Sequence, residues 1–171
     1  MKLLKLLLLL FLISCGTEQI SLPRFKQNGY INPELKPFVE EFSKTFNVVV
    51  NITVKFDNEP IENYDKNKLE EYQLGVCYNY NIMNLDEVII SYTNWNSFTS
   101  NRYNLGRFLI THELTHCVFN YQGHNDDRKI VGELDVPVSI MTSAVTSEEI
   151  DFINNNWEYY INNLKGELNY E

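Results

Sequence analysis

The sequence predicts a single α+β domain. Three segments carry apolar residues at the spacing of a helix face, and three others show the alternation or the β-branched runs typical of strands. A leader is predicted at residues 1–14, and the remaining 157 residues suit one domain with a sizeable core. The expected organisation is a leader (1–14), an N-terminal tether (15–30) and one domain (31–171).

The first half of the domain is predicted to form one helix and then strands. Asn32 can cap a helix that has Pro33 in its first turn. The apolar face of this helix consists of Leu35, Phe38, Val39, Phe42 and Phe46. Strands are expected at 48–56, 74–80 and 87–93, the last of them buried. Residues 57–73 are polar, and their pattern favours neither state.

A central helix is predicted at 105–120, after a turn-rich stretch through Asn101 and Asn104. This helix is apolar on most sides, so we expect it to pack against the sheet. Residues 121–145 are expected to be irregular, and loops of that length are usually functional. A last helix follows, with Thr146 and Glu149 as a capping box. Its apolar face consists of Ile150, Ile153, Trp157, Ile161 and Leu164.

The three histidines of the chain are grouped on and just after the central helix. Two of them belong to the run His112-Glu113-Leu114-Thr115-His116. Positions i and i+4 of a helix point the same way, so both imidazoles can bind one zinc ion. Glu113 faces the same cleft and can take a proton from a water bound to the metal. The run therefore predicts one catalytic zinc ion, against the alternative of a buried histidine pair satisfied by hydrogen bonds.

A catalytic zinc usually has three protein ligands, and His124 is the predicted third. On a continuing helix His124 would lie about 12 Å beyond His116, too far to share the ion. The chain must turn back, and Asn120 and Gly123 tolerate the left-handed conformation that this requires. Oxygen ligands remain as alternatives to His124, namely Asp126, Asp127 and Glu133.

The chain resembles the metzincin zinc endopeptidases, in particular their compact matrixin-like members, over roughly residues 74–164. The resemblance is carried by His112-Glu113-Leu114-Thr115-His116, by Gly123-His124-Asn125-Asp126 and by Pro137-Val138-Ser139-Ile140-Met141. The family motif H-E-x-x-H-x-x-G-x-x-H differs at two points. Phe119 stands where the family has Gly, and the third His comes two residues late. The resemblance implies a small twisted mixed sheet, an active-site helix, a Met-turn at Met141 and a C-terminal helix.

The resemblance also implies a reaction and a substrate. Zinc held by His112, His116 and His124 would lower the pKa of a bound water to about 7. Glu113 would take that proton during attack on a peptide carbonyl and return it to the leaving amine. The protein or peptide substrate would lie along an edge strand, for which Leu74, Gly75 and Val76 are the candidates.

The N-terminus resembles a bacterial lipoprotein signal. A basic start precedes a short apolar run that ends in Leu12-Ile13-Ser14-Cys15, like a lipobox. Cys15 would then be lipidated, and the protein would be exported and held at the cell envelope by its lipid alone. The alternative is an ordinary secretory signal whose cleavage site carries a Cys.

Charge and cysteine usage limit the partners and the compartment. Removal of residues 1–14 leaves 12 basic and 23 acidic side chains, a net charge of −11. Such an acidic surface is a poor match for nucleic acid or anionic lipid, and we expect a monomer. Export permits a disulfide between Cys77 and Cys117. The alternative is that the two cysteines are small buried residues with no bond between them.

Two other functions remain open at this point. The same zinc and Glu113 could hydrolyse a different small substrate. The chain could also be a non-proteolytic lipoprotein binding module on a zincin scaffold, although a structural zinc needs no general base such as Glu113.

Overall fold

The computed structural model describes residues 29–58, 73–78, 86–97 and 101–170 of the 171-residue chain. The predicted leader, Cys15 and most of the ambiguous segment 57–73 lie outside these residues. The described part is α+β, with two small sheets and five helices. In chain order the elements are α1 (Lys36–Phe46), β1 (Thr53–Phe56), β2 (Gly75–Tyr78), β3 (Glu87–Ile90), α2 (Tyr92–Ser97), α3 (Arg102–Phe119), β4 (Arg128–Val131), β5 (Leu134–Pro137), α4 (Ser147–Asn155) and α5 (Trp157–Glu167).

The larger sheet has three strands in the order β1-β3-β2. Strand β1 pairs with β3 in parallel, and β2 pairs with β3 in antiparallel fashion. Strand β3 contributes Val88, Ile89 and Ile90 to the core. The buried Lys55 of β1 forms an ion pair with Glu87 of β3, which compensates the cost of removing its ammonium group from water.

Helix α3 lies at the centre of the described fold, in contact with β2 and β3 and also with α1 and α4. Its side chains are buried on most sides, as the sequence predicts. Gly106 permits the close approach of α1, because a Cβ there would come within 2.5 Å of the Phe38 ring. The helix begins at Arg102 rather than Leu105, since the Asn101 side chain accepts the Tyr103 N–H at 2.9 Å. Asn104, predicted to lie in a turn, is therefore helical.

The predicted start of α1 is wrong by about one turn. The helix begins at Lys36, and Asn32 caps a separate turn by accepting the Glu34 N–H at 2.8 Å. A helix starting at Pro33 would need a hydrogen bond from residue 37 to the carbonyl of residue 33. Pro37 has no N–H to donate, so it is accommodated only in the first turn. The predicted apolar face is correct, because all five of its residues are buried.

Two of the three predicted strands are too long. Residues 48–52 precede β1 as irregular chain, and Val49 is 91% exposed. Asn47, in the left-handed conformation, ends α1 and delays the start of the strand. Strand β3 stops at Ile90, and Thr93 lies in α2. The Ser91 hydroxyl accepts the Asn94 N–H, a local cap that begins this helix. Strand β2 lies inside the predicted 74–80, of which 79–80 are outside the described residues.

The segment 121–145 contains a β-hairpin that the sequence analysis missed. Strands β4 and β5 pair in antiparallel fashion around Gly132 and Glu133, with Gly132 at a φ of +64°. Most side chains of β4 are exposed, so the hairpin lacks the alternation that reveals a half-buried strand. A two-residue Gly-containing connection was the available signal.

The last helical segment begins as predicted and then divides. The Thr146 hydroxyl accepts the Glu149 N–H, and the Glu149 carboxylate accepts the Thr146 N–H at 2.6 Å, which completes the capping box. The helix is interrupted at Asn156, where ψ is 30°, and continues as α5. The predicted apolar residues on both parts are buried.

Candidate metal centre

Three imidazole rings converge beside the C-terminal half of α3. His112 and His116 lie one turn apart on the helix, and His124 comes from the loop that follows it. One ring nitrogen from each histidine lies within 4.8 Å of the others. The Nε2 atoms of His112 and His116 are 3.1 Å apart. Within the residues that the structure describes, these three are the group that could hold a metal ion.

The chain turns back after α3 through two left-handed residues. Asn120 has a φ of 52° and Gly123 a φ of 78°, the two positions at which the sequence predicts this conformation. Phe119, which stands where metzincins have Gly, is the last residue of the helix. Its ring packs against Phe42, Phe46 and Tyr170. The left-handed residue therefore comes one position after Phe119.

Backbone carbonyls determine the tautomers of two histidines. The Nδ1 of His112 donates to the Ile140 carbonyl at 2.9 Å, and the Nδ1 of His116 donates to the Tyr121 carbonyl at 2.8 Å. A carbonyl can only accept, so each Nδ1 carries the proton. Burial lowers the pKa of His112 to about 3 and also lowers the pKa of His116, so both rings are neutral near pH 7.

The two neutral rings direct unprotonated Nε2 atoms toward each other. At 3.1 Å, two lone pairs repel unless a cation lies beside both. Carbonyl bonds to Nδ1 are also the usual outer support of metal-binding histidines. This donor set therefore fits a metal ion that accepts imidazole nitrogen, such as zinc.

His124 is exposed, and its ring completes the cluster. It stacks on His112 with a centroid distance of 5.3 Å and meets His116 edge-on at 5.2 Å. The neighbouring Asn125 N–H donates to the Met141 carbonyl at 2.7 Å, which fixes the loop at this point. The site is thus open to solvent on the side of His124.

The oxygen ligands considered as alternatives to His124 are not part of the cluster. The Asp126 carboxylate accepts the Ser143 N–H at 2.6 Å, the Ser143 hydroxyl and the Thr142 hydroxyl. These bonds, the backbone one first, hold the pKa of Asp126 below its usual value. Asp127 and Glu133 are exposed, and Glu133 lies in the hairpin turn between β4 and β5.

Met141 lies on the segment that supports the histidines. Its side chain is fully buried, and its N–H donates to the Ser139 hydroxyl at 3.0 Å. Ile140, whose carbonyl accepts from His112, is fully buried beside it. The 139–141 segment therefore fixes one ring of the cluster and, through Asn125, the loop of a second.

The Glu113 carboxyl group is buried between α3 and β2. The side chain accepts the backbone N–H of Cys77, and burial raises its pKa to about 8. Gly75 lies directly opposite, because a Cβ there would be 2.9 Å from Oε1 of Glu113. A group with a pKa near neutrality can both accept and return a proton at physiological pH.

A disulfide joins Cys77 of β2 to Cys117 of α3. Of the two alternatives for these cysteines, a disulfide or two unbonded buried residues, the structure has the disulfide. Cys117 lies one turn after Glu113, so the bond holds β2 next to the helix face that carries this carboxyl group. Cys77 thereby makes two links to α3, one covalent and one through its N–H. The sequence could not establish that the two Cα atoms lie 5.7 Å apart.

The predicted substrate strand corresponds to β2. Within the described residues, β2 has a strand partner only on its β3 side. Gly75 and Val76 belong to the strand, whereas Leu74 precedes it and its carbonyl accepts the Ser91 N–H. The Cys77 N–H is already used by Glu113.

Helix α5 contacts the 137–139 segment through three residues that the sequence analysis did not name. The Tyr160 hydroxyl donates to the Pro137 carbonyl at 2.7 Å, and the Asn163 amide donates to the Val138 carbonyl at 3.1 Å. Glu167 accepts from the Ser139 hydroxyl. Their spacing of i, i+3 and i+7 is a polar helix face, and that spacing was the available signal.

Comparison of the chain with models of protein families, with curated proteins and with solved structures gave no match. In the described residues, no helix is long and apolar enough to span a membrane.

Proposed function

We propose that the chain is a zinc-dependent endopeptidase of metzincin type. The observation that carries this proposal is the pair of Nε2 atoms of His112 and His116, 3.1 Å apart, with both Nδ1 atoms bonded to carbonyls. His124 would supply the third nitrogen. Glu113, on the same helix, would be the general base.

Each residue has a defined part in the proposed reaction. Zinc, when bound, would supply a Lewis acid that polarises the peptide carbonyl and acidifies a bound water. Glu113 takes the proton from the attacking water and then returns it to the leaving amine nitrogen. Burial favours the first of these two transfers, because it raises the affinity of the carboxylate for the proton.

The metzincin assignment has support at three places. The turn after α3 returns the chain toward the helix end, Met141 is buried on a segment bonded to His112 and to Asn125, and β2 lies beside Glu113. A peptide could extend along β2 and pair with its backbone near Gly75, because Leu74 and Val76 direct their backbone groups toward β3. The exposed His124 leaves the cluster accessible to such a substrate.

We further propose that the protein is exported and held at the cell envelope through lipidated Cys15. Its support is the basic start, the short apolar run and the Leu12-Ile13-Ser14-Cys15 sequence. Radiolabelled palmitate should be incorporated into the wild-type chain and not into the Cys15→Ala variant. Equal labelling of the two would exclude this anchor.

The function is tested by metal analysis together with proteolysis. The purified chain is expected to contain one zinc per molecule and to cleave casein or peptides from a random library. A chelator should abolish cleavage, and added zinc should restore it. Zinc without peptide cleavage would favour a hydrolase of another substrate or a binding module, and absence of zinc would reject the proposal.

A further inference from the structure

We infer that Glu167 is a positioning residue for the whole three-histidine cluster, although it touches none of the rings. Its carboxylate, at the end of α5, receives hydrogen bonds from three loop residues, and each of these supports a different histidine. The inference builds on the proposed metal site and extends it to a residue more than forty positions away from His124.

The Glu167 carboxylate has three donors around it. The Asn125 amide donates to Oε1 at 2.7 Å, and the Ser139 hydroxyl donates to Oε2 at 2.9 Å. The Tyr121 hydroxyl is the third, and burial together with the nearby Glu167 charge raises the pKa of Tyr121. A carboxylate accepts at two oxygens and donates nothing, so it can bind three donors at once.

Two of the donors, Tyr121 and Ser139, belong to the chain segments that orient the histidines of α3. The carbonyl of Tyr121 accepts from Nδ1 of His116 at 2.8 Å. Ser139 accepts the Met141 N–H at 3.0 Å, and between these two residues the Ile140 carbonyl accepts from Nδ1 of His112 at 2.9 Å. Glu167 is therefore bonded to Tyr121, which carries one of the two carbonyls, and to Ser139, which precedes the residue that carries the other.

The third donor leads to the loop histidine. Asn125 directly follows His124, and its backbone N–H donates to the Met141 carbonyl. Its side-chain amide is bonded to Glu167 at the same time. Asn125 is thus held at both its backbone and its side chain, which limits the positions available to His124.

The position of Glu167 within α5 argues for a role beyond helix stability. It is the last residue of the helix, where a negative charge interacts unfavourably with the helix macrodipole. The three charge-assisted hydrogen bonds offset this cost. Asn163, on the same face, reaches the same segment through one bond to the Val138 carbonyl and has no described bond to Tyr121 or Asn125.

The test compares Glu167→Gln with Asn163→Ala in the full chain. Gln keeps the size of Glu, but its NH₂ group cannot accept a hydrogen bond, so at least one donor is left unpaired. Zinc affinity is measured by competition with a chromophoric chelator. Hydrogen exchange of the Asn125 backbone N–H, which donates to the Met141 carbonyl, is measured in the metal-free protein. Glu167→Gln should weaken zinc binding about 10–100-fold and accelerate exchange at Asn125. Asn163→Ala should change zinc affinity by less than about threefold.

Several outcomes decide the inference independently of peptidase activity. Wild-type zinc affinity and unchanged Asn125 exchange in Glu167→Gln would overturn it, as would an equal loss of affinity in Asn163→Ala. If the Gln variant does not fold, Glu167→Asp is used, since it keeps the charge and shortens the reach. If wild-type protein bound zinc without cleaving peptides, the proposed function would fail while the affinity comparison still applied. If it bound no zinc, Asn125 exchange alone would decide.

Discussion

Glu113 is the residue on which the proposed chemistry depends most directly. Glu113→Gln keeps the side-chain size and the bond from the Cys77 N–H but removes the group that takes the proton. We expect normal zinc content and a fall in kcat of roughly 10²–10⁴-fold, the usual contribution of a general base. Metal analysis and a fluorogenic peptide assay measure both quantities. A variant that cleaves at the wild-type rate would remove Glu113 from the mechanism.

The buried Glu113 should also make the metal-free protein less stable as pH rises. The pKa of Glu113 is about 8 in the folded chain, against the ordinary value of 4.5 that it has when unfolded. Between pH 4.5 and pH 8 the folded chain therefore holds a proton that the unfolded chain has released. Stability is then fully present below pH 4.5 and is lost as pH rises through 8. His112 acts in the opposite direction, but only below about pH 6.5.

Between pH 6.5 and pH 8 the change in stability with pH therefore comes from Glu113 and not from His112. With chelator present, urea unfolding of the wild type should lose roughly 1–2 kcal/mol more across this interval than unfolding of Glu113→Gln. His112 stays neutral in both proteins over this range. Parallel curves for the two proteins would mean that the carboxyl group is already ionised in the folded state.

Gly75 is expected to be required for catalysis because it has no side chain. A Cβ would lie 2.9 Å from Oε1 of Glu113 and 3.0 Å from its Cγ. Gly75→Ala should displace the carboxyl group and lower kcat by about tenfold or more, equivalent to ~1.4 kcal/mol, with zinc retained. Gly166→Ala is the control, because its Cβ would meet nothing within 4 Å. Equal kcat values for the two variants would contradict this role.

At the scale of elements, the Cys77–Cys117 disulfide connects the edge strand to the active-site helix. It closes a loop with a sequence separation of 40, for which chain entropy gives a stabilisation of about 4 kcal/mol. The double variant Cys77→Ala/Cys117→Ala should therefore unfold at clearly lower urea concentration. It should also show faster hydrogen exchange at the Cys77 amide, which donates to Glu113. An unchanged urea midpoint would show that the bond adds no stability.

For some elements the local sequence was sufficient to predict the structure, and for others it was not. Helix α3 and the capping box of α4 were predicted because their signals lie within one or two turns of chain. The hairpin of β4 and β5 was missed because the side chains of β4 are mostly exposed, with Ile130 at 72%. Its stability comes instead from tertiary partners, such as the Tyr159 ring under the Lys129 ammonium group and Glu149 beside Arg128.

For the whole molecule, metal removal should loosen the connection between α3 and the loop that carries His124. Zinc at about 1,000 times its Kd would stabilise the folded state by ~4 kcal/mol, or roughly 10 °C in Tm for a domain of this size. Calorimetry with and without chelator measures this difference. Glu113→Gln should respond like the wild type, and His124→Ala should lose most of the response. An identical response of His124→Ala and wild type would exclude His124 as a ligand.

The sequence by itself determined the α+β class, the helix that presents His112, Glu113 and His116, and the two left-handed positions that follow it. These features depend on residues close together in the chain, where helical periodicity and backbone conformation decide the outcome. Only the tertiary structure decided that His124 joins the cluster, that Cys77 is bonded to Cys117, and that Glu167 holds the supporting loops. These contacts join segments distant in sequence, and their formation depends on packing of the intervening elements, for which the local pattern carries no signal.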